Sequence, residues 1–308
     1  MSVLGIDQIT YGADDLPACR QFFQDWGLSL VSEAADELVF ECLNGCKVVV
    51  AAWDKPGLPP AMEEGPTLRE VVWGVESDAD LDRYAAAIAQ DPAFTDTTVD
   101  GARRIGCTDP NGLAVRLQVS RKRAVEVDCG AMNTWNAKPR VNQPAPIYER
   151  ATPIEVGHVV FFVSDVKGTS AFYAQRFGFV SSDGYPNRGA FMRCAPEGGH
   201  HDLFLLQIPS GKRGLNHVAF TVRVALCVRG QGDGQRRGGQ QGERKTSLHE
   251  GHRVHFFSVR KAPFGPSAFF WRRVWPSRPP STAHSANTVG PGSNSRGCQS
   301  AVSWSSSA

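Results

Sequence analysis

Two histidines stand where side chains could do chemistry. His158 precedes the apolar run Val159-Val160-Phe161-Phe162, and His217 precedes Val218-Ala219-Phe220. Adjacent strands of a sheet can bring such residues together from distant parts of a chain. Two neutral imidazoles on one concave face are half of a divalent-metal site. Taken singly, each reads more readily as a hydrogen-bonded core histidine. A further pair, His200-His201, follows the turn Pro196-Glu197-Gly198-Gly199. By residue type it is either an acid–base group or a polar strand edge. His249, His252 and His255 have a metal-like spacing, but Gly251 interrupts them and no apolar stripe accompanies them, so they read as solvated. Cys42 and Cys46 are spaced like half a zinc site, with no second pair to complete it.

The elements that must position these residues follow from periodicity. Leu4, Ile6, Ile9 and Tyr11 mark a strand over residues 3–12. Asp14-Asp15 offer a helix cap and Pro17 suits a first turn. Leu16, Cys19, Phe22, Phe23 and Trp26 then recur at helical spacing up to Gly27. Strands are expected at 37–42 and 47–53, joined by Asn44-Gly45. Another is expected at 68–75, then a helix over 78–90, then strands at 103–107 and 113–119 around Asp109-Pro110-Asn111-Gly112. The order is βαβββ, twice.

The pattern then restarts. Residues 154–163 read as a strand, Asp165 as a cap, and Phe172, Tyr173 and Phe177 as an aromatic helix face before Gly178. This repeats the N-terminal segment at an offset of about 150 residues, with Phe22-Phe23 matching Phe172-Tyr173 and Trp26-Gly27 matching Phe177-Gly178. Residues 68–75 recur as 215–222, an offset of about 147 residues. The expected organisation is a module at 1–120, a linker at 121–150, a second module at 151–223 and a tail at 224–308. The fold class is α+β, tandem βαβββ modules, with the second module incomplete and an irregular basic tail.

Charge divides at the same place. Residues 1–223 hold 21 Lys and Arg against 28 Asp and Glu, whereas residues 224–308 hold 12 against 3. The net charge of +2 describes neither part. No apolar run is long enough to span a bilayer, and the first residues lack a basic-then-apolar leader. The expectation is a cytoplasmic location with reduced cysteines. The triplet Arg121-Lys122-Arg123 reads as a solvated strand end rather than a nucleic-acid contact.

Taken together, GHVVFF, GHHDLFLLQIP and GLNHVAFTV on a βαβββ repeat resemble the vicinal oxygen chelate superfamily, also called the glyoxalase/bleomycin-resistance/dioxygenase fold. More narrowly, residues 1–223 resemble the two-domain type I extradiol ring-cleaving dioxygenases. That resemblance implies Fe(II), or Mn(II), held by His158 and His217 together with a glutamate. It implies His201, with His200 as the alternative, as the acid–base residue. It implies a small aromatic diol and O2 as substrates, a homo-oligomer, and no membrane or nucleic-acid partner. Phe191 and Phe204 are candidates for ring contacts. The first module is expected to hold no metal: it has no histidine, Gln8 and Glu70 match His158 and His217, and Arg116 falls where the glutamate would be. A guanidinium cannot ligate a cation. Two other classes fit the superfamily: a metal-dependent lyase or isomerase, and a metal-free binding protein of the bleomycin-resistance kind.

The resemblance breaks after Arg223. The third ligand is expected on a late strand, and only Asp233, Glu243 and Glu250 are acidic beyond this point. Residues 229–242 are rich in Gly, Gln and Arg, and residues 277–308 in Ser, Pro and Gly. The abrupt shift suggests a change of reading frame near Arg223, leaving a damaged copy of an enzyme. The rival is a genuine basic tail that binds nucleic acid, although regular basic–aromatic repeats are missing. The tail is too poor in aliphatic residues to fold, so the edge of the second module and residues such as Val218 and Phe220 are expected to be underprotected.

Overall fold

The computed structural model describes residues 3–126 and 152–222, together with the backbone of 257–259. All of these lie in one compact unit, Met1–Arg272. Strand β1 (Val3–Ala13) starts the chain. Helix α1 (Leu16–Trp26) begins where the Asp15 carboxylate accepts the Ala18 N–H at 2.8 Å. It ends at Gly27, whose φ of 106° is the left-handed conformation of a C-terminal cap. Strands β2 (Ser29–Ala34), β3 (Glu37–Glu41) and β4 (Lys47–Ala52) follow, and β4 returns parallel beside β1.

A second unit repeats this: β5 (Thr67–Val75), α2 (Asp78–Ile88) capped by Ser77, then β6 (Thr95–Val99), β7 (Ala102–Thr108) and β8 (Ala114–Val119). Here β8 returns parallel beside β5. The two units join through antiparallel β1 and β5 into an eight-stranded sheet, ordered β2-β3-β4-β1-β5-β8-β7-β6. A third unit comprises β9 (Pro153–Phe162), α3 (Val166–Phe177), β10 (Val180–Tyr185), β11 (Gly189–Arg193) and β12 (Leu203–Leu206). Strand β13 (Gly214–Val222) pairs antiparallel with β9 as β5 does with β1. The α+β class and the tandem βαβββ arrangement are as expected from sequence.

Strands β2 and β6 complete the two βαβββ units, but sequence periodicity gave them no position. Most of their residues are exposed, Ser29–Ala34 and Thr95–Val99 alike, so neither shows the apolar alternation that marks a half-buried strand. Each sits at an outer edge of the first sheet, where pairing to one neighbour suffices.

The end of the second sheet corrects a second expectation. Strand β14 (Phe257–Val259) pairs antiparallel with β13, Val218 opposite Val259 and Phe220 opposite Phe257. The edge of β13 is thus covered at these positions. Val218 and Phe220 are fully buried, and the Phe220 ring lies 6.0 Å from Trp26. The physical reason is that a strand edge offers unpaired N–H and C=O groups to any extended segment, whatever its side chains. The rest of the tail, with Asp233, Glu243, Glu250 and the three tail histidines, lies outside the described residues, as does most of the linker.

The modules share one apolar core. Trp73 meets Phe179 edge-on at 4.9 Å, and Tyr84 Oη donates to the Phe177 carbonyl at 3.2 Å. Buried Asn111, in the turn between β7 and β8, donates from Nδ2 to Thr169 Oγ1 at 3.0 Å and accepts the Ser164 N–H at 3.1 Å. It therefore ties the first module to the end of β9 and to α3. Asn111→Ala leaves the buried Thr169 hydroxyl without this partner and should cost about 2 kcal/mol. Urea unfolding of the purified chain measures this, with Asn111→Asp as the size control.

Candidate metal centre

The antiparallel pair β9–β13 carries three register irregularities, and the two beside His158 and His217 decide which side chains leave the core face. Pairing shifts between Val156 and His158 opposite Phe220 and Ala219, and again between Val160 and Phe161 opposite His217 and Leu215. An extra residue reverses the alternation locally. Val156, Val159, Phe161, Leu215, Val218 and Phe220 therefore enter the apolar core, leaving His158 and His217 to turn together to the other face. Their Nε2 atoms are 3.3 Å apart, and the rings meet at 68°.

That spacing has two physical readings. One neutral imidazole can donate to the other across it. Alternatively, two nitrogens bound to one ion at about 2.0–2.1 Å, with tetrahedral or octahedral angles, also end about 3.0–3.4 Å apart. The donor set fits a borderline divalent ion such as Fe(II), Mn(II) or Zn(II). His217 Nδ1 lies 2.8 Å from Asn216 Oδ1. An Nδ1–H donated there leaves the Nε2 lone pair facing His158, the tautomer a ligand needs. Among the described residues no group of three His, Cys, Asp or Glu side chains is arranged to hold an ion.

His201 is the member of the His200-His201 pair that reaches this point. Its ring centroid is 4.3 Å from that of His158. The backbone fixes it there: the Val159 N–H donates to the Asp202 carbonyl at 3.0 Å, and the Cys194 N–H donates to the Asp202 carboxylate at 2.9 Å. His200 is exposed and 3.9 Å from Asp183, and its Nδ1 is 2.9 Å from that of His201. Burial, with His201 and His217 as neighbours, pushes His158 down to about 3. Burial and the adjacent His200 push His201 down to about 4. Both rings are therefore neutral at pH 7, the form that ligates or accepts a proton. Phe191 and Phe204 stack at 3.9 Å with an angle of 6°, and Phe191 lies 5.0 Å from His201. They form an aromatic wall beside the histidines.

The first module holds both histidine-bearing strands at their starts. In the Asn44-Gly45 turn, the Leu43 and Asn44 N–H groups donate to the Pro153 and Ile154 carbonyls, each at 3.0 Å. The Glu63 carboxylate accepts the Leu215 N–H at 3.0 Å and the Thr67 hydroxyl at 2.7 Å. A Cβ on Gly214 would sit 2.5 Å from Glu63, and its φ of 132° favours glycine as well.

Inside the first module the matching positions hold polar side chains. Gln8 pairs opposite Val72 and Thr10 opposite Glu70. In the second module His158 pairs opposite Ala219 and Val160 opposite His217. The registers, and bulges beside them, coincide at the repeat offsets, so Gln8 and Glu70 occupy the His158 and His217 positions. Arg116 Nε lies 3.5 Å from Glu70. Sequence reasoning missed Arg104. Its side chain is 6% exposed, and it donates to Glu70 Oε1 at 3.3 Å, Gln8 Oε1 at 3.3 Å and Gln118 Oε1 at 2.9 Å. Burial pushes Glu70 up against the opposing pull of Arg104 and Arg116. The available signal was an arginine in the alternating strand Arg103-Arg104-Ile105-Gly106-Cys107, next to a strand with a buried glutamate; its facing could not be read without the register.

Residues 155–265 match the family described as Glyoxalase/Bleomycin resistance protein/Dioxygenase superfamily. No curated protein sequence matches the chain. Among solved structures, the Mn(II)-bound glyoxalase from Novosphingobium aromaticivorans is 23% identical, with a TM-score of 0.52 over 71% of this chain and 65% of that one. The 2,3-dioxygenase LapB from Pseudomonas sp. KL28 is 18% identical, with a TM-score of 0.51 over 71% and 75%. Homoprotocatechuate 2,3-dioxygenase from Arthrobacter globiformis is 16% identical, with a TM-score of 0.50 over 71% and 63%. The chain thus spans less than two thirds of the glyoxalase, and at these identities the likeness is one of fold.

The buried ion pair makes a stability prediction. Glu70→Ala strands the Arg104 guanidinium without its charged partner and should lower stability by about 3–5 kcal/mol. Denaturant titration checks this, with exposed Glu33→Ala as the control.

Proposed function

We propose that this chain, whose second module is of the glyoxalase/bleomycin resistance/dioxygenase superfamily, descends from an extradiol dioxygenase that cleaves a catechol-type aromatic diol with Fe(II), or Mn(II), and O2. The observation that carries this reading is the convergence of His158 and His217 Nε2 atoms at 3.3 Å, with His201 beside them. His158 and His217 hold the metal. His201 takes a hydroxyl proton from the diol and returns it later in the reaction. Phe191 and Phe204 bound the site on the His201 side and orient an aromatic ring while excluding water. The metal, when bound, supplies a Lewis acid that lowers the pKa of the diol and a centre at which diol and dioxygen meet. The setting is cytoplasmic, and the working form is a homo-oligomer.

The chain itself is a damaged copy. In the first module β8 runs parallel to β5. Strand β14 takes the corresponding place beside β13 but runs antiparallel, so it is not the counterpart that would carry a glutamate into the site. A reading frame that changes near Arg223 accounts for this and for the change in composition. The family match, which runs on to residue 265, is the observation on the other side. A second reading, a metal-free binding protein of the bleomycin-resistance kind, draws on the two-histidine donor set; a lyase or isomerase using the metal as Lewis acid would share that set.

Anaerobic Fe(II) reconstitution with metal analysis and a panel of catechols tests the proposal. The 308-residue chain should bind Fe(II) at least about 100-fold more weakly than an intact three-ligand site, and yield only traces of yellow ring-fission product. His158→Ala and His217→Ala should abolish the residual uptake, whereas His201→Gln should keep it and lose the turnover. Full Fe(II)-dependent activity would show that Glu243, Glu250 or another group completes the site. Ligand binding indifferent to chelator, with no metal uptake, would favour the binding protein. A different frame of the coding DNA should encode a strand with the missing glutamate.

A further inference from the structure

We propose that the first module retains a cation-binding cage of its own, and that its resident cation is the guanidinium of Arg104. The inference rests on the equivalence of positions in the two sheets and holds whether or not the second module binds metal. Gln8 and Glu70 stand at the register positions of His158 and His217. Their side-chain oxygens converge as the two imidazole nitrogens do, but on a positive group supplied by the chain. Nη1 of Arg104 donates to Glu70 and Nη2 to Gln8 and Gln118. All four residues are buried.

The fit is incomplete in an informative way. Arg104 Nε is buried with no acceptor among the described residues. A pocket shaped around guanidinium would match the whole planar fork; this one satisfies only its tip, where a compact ion would sit. The donors are a carboxylate and two amide oxygens. Gln8 keeps its oxygen toward the centre because its Nε2 donates to Thr10 Oγ1 at 3.1 Å. Gln118 is oriented likewise, its Nε2 donating to Asp7 at 3.2 Å. Hard oxygen donors of this kind suit Mg(II), Mn(II) or Ca(II) rather than Fe(II) or Zn(II). Arg116, 3.5 Å from Glu70, is a second cation on the same carboxylate and would oppose a divalent ion.

The experiment uses the full chain carrying His158→Ala and His217→Ala, which removes the histidine pair of the second module, so that uptake gained over this parent reports on the first. Arg104→Ala, and Arg104→Ala with Arg116→Gln, are compared with this parent. Mn(II) uptake is followed by loss of the free-ion electron paramagnetic resonance signal, and thermal melts are recorded with Mn(II), with low millimolar guanidinium, and with neither. The double variant should gain one equivalent of Mn(II), lost again on adding Glu70→Gln. Mn(II) or guanidinium should raise the melting temperature of the Arg104→Ala chain and leave the parent unmoved. A variant that fails to fold alone is read by the same melt, since either cation should restore its transition. If the Arg104 variants take up no Mn(II) and neither cation stabilises them, the network is an ordinary buried ion pair and the proposal is wrong.

Discussion

The structure depends on one constraint, the bulged antiparallel pairing of two strands at the centre of each sheet. A regular pair would send alternate residues to opposite faces without exception. The bulges beside His158 and His217 break that parity, so apolar residues on both sides of each histidine reach the core while the histidines face away from it. The same irregularities recur beside Gln8 and Glu70. The backbone thus makes the same two convergent positions twice, and chemistry is assigned by the side chains placed there.

The two occupants solve one electrostatic problem differently. Convergent buried donors need positive charge among them or must stay neutral. In the second sheet the donors are imidazoles, and burial holds that of His158 neutral. In the first the donor set includes a carboxylate, and the compensating charge is the chain's own, Arg104 inside and Arg116 at the flank. The first module is also the scaffold of the second: Asn44, Glu63 and Asn111 reach across to the starts of β9 and β13 and to the end of β9. Residues of the first module thus bear on where the histidines of the second stand.

The closing edge shows how weakly backbone pairing specifies function. Strand β14 meets β13 over three residues, in the direction opposite to β8 on β5. Backbone hydrogen bonds cover the edge in either direction. Side-chain placement is not so tolerant, because reversing a strand moves every residue away from the position its function requires.

By itself the sequence determined the repeat, the element order around it and the histidines that mark the site. Apolar periodicity, the N-cap positions Asp15 and Asp165 and glycines at Gly27 and Gly178 are local signals, and helix bounds follow them, although only Asp15 caps with its side chain. The offsets of about 150 and 147 residues paired Gln8 with His158 and Glu70 with His217 before any register was visible. Strands β2 and β6 stayed hidden because exposed edge strands carry no alternation. Only the tertiary structure decided that His201 rather than His200 stands beside His158, since the Asp202 backbone and carboxylate lock that segment to β9 and β11. Only it placed Arg104 among Gln8, Glu70 and Gln118, because three strands had to come into register before one arginine could face all of them. And only it turned the tail's Phe257–Val259 onto β13, a pairing made by backbone groups that every residue except proline carries and that no side-chain pattern announces.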